Sequence, residues 1–370
     1  MGGTAVTLTH QAIMADESGS HHAVWLVVQA MQGRVRMAPL RTSRDVLGFP
    51  TGDVLPRKLA VDVFLEGHAY ASSADPTAGA ARLRVGAVDR SFRVSGRRVV
   101  EWHRGRPRIG AAAPFERFPF DREHAYGGIS LGHPYWRNPG GKGYLVDGDE
   151  REGIELPNIE EAGDLVGVDR LLTQPSSWWL GPRPALTAPL VPIDFPRIVD
   201  LGWPSAFVPP PQDPQLAEIV DGDLPADFTM SRPFEMRRPV FQQAPARSRL
   251  AAYEAGAEVV VEGCLPRGEV FRAKLPEAPP AILEVEGRRR ELELLPQSIT
   301  VRPEEGSLSI VYFASAELHR AFVPGLHKRI PIALELLGER FPYPTPEPVL
   351  ARVRRETKSE TTGAGGGEPA

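Results

Sequence analysis

Ala81-Arg82-Leu83-Arg84-Val85-Gly86, followed closely by Ser91-Phe92-Arg93-Val94-Ser95-Gly96, decides the fold. Apolar and polar side chains alternate one for one, and each run ends on a glycine. A period of two puts successive side chains on opposite faces of a pleated strand. The pattern spreads outward in both directions. Downstream lies Arg97-Arg98-Val99-Val100-Glu101-Trp102. Upstream, His22 to Ala30 is a β-branched and aromatic run closed by Gly33, and Leu59 to Tyr70 partly alternates before a Ser-Ser-Ala-Asp-Pro loop. Alternation returns at Ala257 to Gly263, Val270 to Leu275, Ala281 to Gly287, Arg289 to Leu294 and Leu308 to Phe313. Short runs between turn residues predict a mainly β (β-rich α+β) protein. Its antiparallel strands form a sandwich- or barrel-like body with long Pro-rich loops and few short helices. One short helix is predicted at Ile332 to Glu339, where Leu334, Leu336 and Leu337 share a face.

Three blocks and a tail follow from composition. Residues 1–170 form an N-terminal β block and residues 246–340 a second one containing the short helix. Between Pro175 and Pro245 lie 15 of the 38 prolines, so 171–245 is expected to be an irregular connector. Trp178, Trp179, Phe195, Trp203 and Phe207 suggest that it packs on the body, since a free linker has no use for them. Residues 356–370 have nothing to bury and are expected to be disordered.

Charge and cysteine usage exclude several classes. A formal net charge of −4 over 370 residues is a poor footprint for nucleic acid. The single cysteine, Cys264, rules out an intrachain disulfide and a cysteine zinc cage. The first residues carry no basic start followed by a long apolar stretch. The longest apolar run, Ala23 to Val28, is far too short for a membrane-spanning helix. A cytoplasmic protein without membrane insertion is expected.

The chemistry motifs are incomplete. Gly128-Ile129-Ser130-Leu131-Gly132 fits the nucleophile elbow of the α/β-hydrolases, but Pro134 and Pro139 follow where a helix should begin. Asn138-Pro139-Gly140-Gly141-Lys142-Gly143-Tyr144 lacks both the early Gly and the Ser or Thr of a phosphate loop. Asp147 to Glu155 places Arg151 and Glu152 where a calcium loop needs an oxygen ligand and a glycine. No His pair has helical metal-ligand spacing, although Asp121, Glu123 and His124 are close enough for an acid–base group. Arg93, Arg97, Arg98, Arg104, Arg106 and Arg108 surround Trp102, but Glu101 interrupts them, which favours a salt-bridged turn surface over a nucleic-acid site. No catalytic residue, metal or cofactor is assigned.

Three elements in order carry a family resemblance. They are Pro119-Phe120-Asp121-Arg122-Glu123-His124-Ala125-Tyr126-Gly127-Gly128, then Asn138 to Tyr144, then Leu156-Pro157-Asn158-Ile159-Glu160. With Asp62-Val63, Gly67-His68-Ala69-Tyr70 and Val94-Ser95-Gly96-Arg97-Arg98 upstream, the chain resembles the bacterial domain-of-unknown-function family 2169 (DUF2169) over roughly residues 20 to 315. Tyr126 stands where the family usually has Phe, and Arg122-Glu123-His124 replaces its Tyr-Glu-Arg trio.

The resemblance implies a non-enzymatic adaptor or chaperone that loads a type VI secretion effector, or its tip domain, onto the secretion spike. A hydrolase using Ser130 or the Asp121/Glu123/His124 group is the alternative. Tyr126, Gly127, Gly128, Trp136, Asn138, Pro139, Gly143, Tyr144, Pro157, Asn158 and Glu160 are the signature-loop or partner-binding candidates. Glycine and Asn-Pro build tight turns, so scaffold outweighs direct contact for the group as a whole. Trp136 and Tyr144 are the favoured contact residues, because aromatics lead interface hot spots. Glu160 is expected to be a polar anchor that clamps a nearby backbone turn or meets a basic effector segment.

Overall fold

The computed structural model describes residues 4–15, 21–31, 42–44, 50–52, 60–131, 133–134, 140–145, 153–167, 244, 246–318, 332–343 and 353–354. Nearly the whole of the connector at 171–245, with the five aromatics named above, lies outside them, as does the tail at 356–370.

Three antiparallel-rich sheets make the body, as the alternating runs require. The largest has seven strands in the order Arg249–Leu250, Val61–Leu65, Leu295–Arg302, Ser307–Leu318, His21–Met31, Thr4–Ala15 and Val353–Arg354. Its one parallel pairing joins Val61–Leu65 to Leu295–Arg302. The second sheet runs Ile159–Glu161, Val88–Ser95, Ala78–Val85, Glu258–Glu262, Phe271–Lys274. The third runs Arg288–Glu291, Ala281–Val285, Ile332–Leu336, Glu339–Tyr343. The sequence leaves open whether its two β blocks share sheets. They do: Val61–Leu65 sits between two strands of the later block, and Ala78–Val85 pairs with Glu258–Glu262.

One apolar cluster joins all three sheets. Trp25, Val27 and Tyr312 come from the first, Leu83, Val85, Phe92 and Val259 from the second, and Leu283, Leu334 and Phe341 from the third. The deciding stretch behaves as its period demands. Ala81, Leu83 and Val85 are buried, whereas Arg82 and Arg84 lie on the opposite face. Part of the buried polarity in this core is paired, as with Tyr312, whose hydroxyl donates to Gln29 Oε1 at 2.8 Å, whereas Trp25 Nε1 makes no hydrogen bond among the described residues.

The helix expected at Ile332 to Glu339 is a correction. Ile332–Leu336 and Glu339–Tyr343 are two strands of a hairpin, with Leu336 opposite Glu339. Ile332, Leu334 and Leu336 recur at period two as well as at near-helical spacing, and it is the former that buries them. The two-residue loop is Leu337-Gly338, with φ of +51° and +86°. Positive φ at both central positions is the geometry of tight hairpins, usually supplied by Asn-Gly. Arg104-Gly105 and Glu286-Gly287 turn their hairpins in the same way. At the equivalent, exposed position Arg104, replacement by Asn relieves a left-handed penalty of about 1 kcal/mol, so Arg104→Asn should raise the thermal midpoint. An unchanged or lower midpoint would contradict the turn assignment.

Candidate functional site

The dispersed family elements fold into one hydrogen-bonded knot. Tyr126-Gly127 pairs in parallel with Lys142-Gly143, held by Lys142 N to Ala125 O and Tyr144 N to Gly127 O, each 2.9 Å. The backbone N–H groups of Asn158 and Ile159 both donate to His124 O. Asn158 then bonds Ser95 twice, accepting from its N–H at 2.8 Å and donating from Nδ2 to its carbonyl at 3.1 Å. Lys142 Nζ reaches Asn158 Oδ1 at 3.3 Å and Glu155 Oε2 at 3.1 Å.

The glycines are where space is tightest. Gly143, at φ +89°, would place a Cβ 2.8 Å from Pro157 Cδ, and Gly128 would place one 2.9 Å from the Gly141 carbonyl oxygen. Tyr126, Gly127, Tyr144, Pro157, Asn158 and Glu160 are all buried. Tyr144 therefore belongs to the scaffold and does not present its ring to a partner. Trp136, Asn138 and Pro139 lie outside the described residues.

Glu160 clamps a nearby turn, the first of its two expected roles. Its Oε1 accepts from Val166 N at 2.6 Å, and its Oε2 accepts from Arg98 Nη2 at 2.7 Å. Arg98 donates from the same nitrogen to Pro157 O at 2.8 Å. Arg98 was missed as a site residue. Its signal was the Val94-Ser95-Gly96-Arg97-Arg98 element, whose last residue meets the last residue of Leu156-Pro157-Asn158-Ile159-Glu160. On the next residue, Glu161 Oε1 accepts from buried Arg90 Nε at 3.0 Å and also meets Arg247 at 3.2 Å. Of the remaining basic residues near Trp102, Arg97 pairs with Glu155 and Arg108 with Glu101.

Beside the knot, Ile129–Ser130 of the motif that begins at Gly128 is one arm of a hairpin. Ile129–Ser130 pairs with His133–Pro134, and Ser130 is opposite His133. A strand therefore follows where the hydrolase elbow needs a helix. The pattern on it is inverted: Ser130 is buried, whereas Ile129 is 53% exposed and Leu131 55%. Leu131 also has φ +48°. The third large exposed apolar residue among those described is Val270.

The acid–base candidates divide. His124 Nδ1 lies 2.6 Å from Asp121 Oδ1, and the imidazole tilts over Phe118. Glu123 is exposed and stands apart from that pair. Among the described residues no group of three His, Cys, Asp or Glu is arranged to hold a metal. Cys264 is buried, and desolvation, helped by the charge of Glu304, pushes its thiol up to about 12. It is therefore a packing residue, not a nucleophile.

A second polar group forms on the Gly67-His68-Ala69-Tyr70 element. Glu304 accepts from Tyr70 Oη at 2.6 Å and lies 2.8 Å from His68 Nδ1, with Arg117 close by. Burial alone would raise Glu304, but the hydrogen bonds from Tyr70 and His68 hold its carboxyl below the ordinary 4.5. A carboxylate lowered on folding stabilises above its unfolded value, and that contribution disappears as pH falls through the folded value. Glu304→Gln should therefore lower the thermal midpoint at neutral pH, with the gap to wild type closing below 4.5. A gap independent of pH would show that the pairing is not the cause.

The described residues form a mainly β body of three larger sheets that carries a buried knot of motif residues. The family whose model matches is described as an uncharacterized protein conserved in bacteria (DUF2169), over residues 22–312, and the chain belongs to that family. No curated protein and no solved structure matches it. Among the described residues no helix is long and apolar enough to cross a membrane.

Proposed function

We propose that this protein is a non-enzymatic cytoplasmic adaptor or chaperone that loads a type VI secretion effector, or its tip domain, onto the secretion spike. The observation that carries the reading is the inverted hairpin. Two large aliphatic side chains face solvent at its end, while the serine between them is buried. Leu131 adds the cost of a left-handed backbone, about 1 kcal/mol or more. Neither feature helps the isolated chain. Both fit a rigid apolar knob that a partner covers. The knot of Tyr126, Gly143, Asn158 and Glu160 supplies the stiff base such a knob needs.

The test is genetic. Deleting the gene in the native host should abolish secretion of one effector while the spike continues to be exported. Complementation with Ile129→Ser/Leu131→Ser should fail although that variant folds. Normal effector export without the gene would overturn the proposal.

The Asp121–His124 pair favours the hydrolase alternative, because a carboxylate orienting an imidazole supplies two of the three members of a nucleophile-activating triad. Ser130→Ala and His124→Ala separate the two readings. An adaptor keeps effector export with both, and a hydrolase loses function with either.

A further inference from the structure

Phe271–Lys274 is the terminal strand of the second sheet among the described residues, and its main chain has a definite polarity. Leu275 N donates to Ala257 O at 2.9 Å, so residue 275 turns its backbone groups inward. Glu258 O accepts from Gly86 N on the other side of its strand, so the Glu258–Lys274 pair exchanges no bonds. Alternation then points the backbone N–H and C=O of Arg272 and Lys274 away from the sheet. Both side chains are exposed, and neither forms an ion pair among the described residues.

The strand behind this edge is mixed in charge on the same face, with Glu258 opposite Lys274. Val260 lies opposite Arg272 on one side and Arg84 on the other. Arg84 Nε is buried and makes no hydrogen bond, and the nearby Asp89 is taken by Arg82. The other face of the strand is different, with Phe271 buried and Ala273 half-buried. An incoming strand would therefore meet cations on one face and apolar surface on the other.

We propose that this edge accepts an extended segment of a partner protein as an added strand, with acidic residues at alternate positions facing Arg272 and Lys274. Main-chain bonds provide affinity, and the alternate side chains provide selection. A second copy of this chain is the wrong occupant, since it would set Arg272 and Lys274 against themselves. The opposite edge of the third sheet, Arg288–Glu291, is less suited: it carries charge on both faces, and Arg289 is already paired with Glu335. The inference deepens the adaptor reading, but it can be tested on the purified chain without any secretion apparatus.

The probe is a fluorescein-labelled peptide of alternating Glu and Val, titrated into the full chain and followed by anisotropy. Binding is expected, with none for the alternating Lys and Val peptide. N-methylating the Glu-Val peptide along one edge should remove binding. Arg272→Glu/Lys274→Glu should weaken it by about ten-fold or more, because two cross-strand attractions become repulsions. Lys274→Pro removes an outward N–H together with the side-chain cation, so the fold should survive while binding is lost. Failure of the Glu-Val peptide to bind, equal binding of the Lys-Val peptide, or indifference to both variants would overturn the proposal. Failure of the adaptor reading alone would leave these peptide results intact.

Discussion

Glu160→Ala should be among the most damaging single substitutions in the chain, costing about 3–5 kcal/mol of stability. Glu160 and Arg98 are both buried, so removing the carboxylate leaves a guanidinium without its counter-charge and Val166 N without its acceptor. The Arg98→Met/Glu160→Leu double variant distinguishes charge from shape. Apolar replacement of both partners should recover part of the loss, because no unpaired charge then remains. Recovery stays incomplete, since the backbone groups of Val166 and Pro157 still lose their partners, at about 1–3 kcal/mol each. Chemical denaturation of the two variants beside wild type is the measurement. A Glu160→Ala midpoint close to wild type would mean that the knot does not hold the Ile159–Glu161 strand in place.

Gly263→Ala should rival it. Gly263 has φ +71°, and a Cβ there would collide with the Ala80 carbonyl, a backbone atom that cannot swing aside. Its own carbonyl accepts from Tyr70 N at 3.0 Å, and it follows directly on the strand Glu258–Glu262. The substitution therefore strains the junction where the two halves of the sequence share a sheet. A left-handed penalty of about 1–2 kcal/mol adds to overpacking of about 1–3 kcal/mol. Loss of soluble protein or a large fall in thermal midpoint is expected. Gly256→Ala is the control, with φ +86° but open space around its missing Cβ, and it should lose only the smaller, conformational part. Equal effects at the two positions would remove the steric argument.

Strands were legible in the sequence wherever burial is one-sided. Ala81 to Val85 and Val88 to Ser95 alternate because one face meets the core and the other does not. The hairpin at Ile332 to Tyr343 was not legible, because Leu337 occupies a turn position that favours Asn, and its side chain completes a false helical face. The site divides in the same way. Gly143 could be assigned to the scaffold from residue type alone. The Arg98–Glu160 pair could not, since 62 positions separate its members and only the folded chain brings them together.

The inverted hairpin contradicts the usual expectation. In Gly128-Ile129-Ser130-Leu131-Gly132 the pattern suggests aliphatic residues inside and serine outside, and the fold does the reverse. Such a local inconsistency is expected where sequence serves a surface rather than a core.

The most direct test of the adaptor reading is co-purification of the tagged chain from its native host, wild type beside Ile129→Ser/Leu131→Ser. The account predicts near-stoichiometric recovery of one effector or spike-tip protein with wild type, and its loss with the folded double variant. Wild-type protein recovered alone at low salt, or the same partner retained by both, would contradict it.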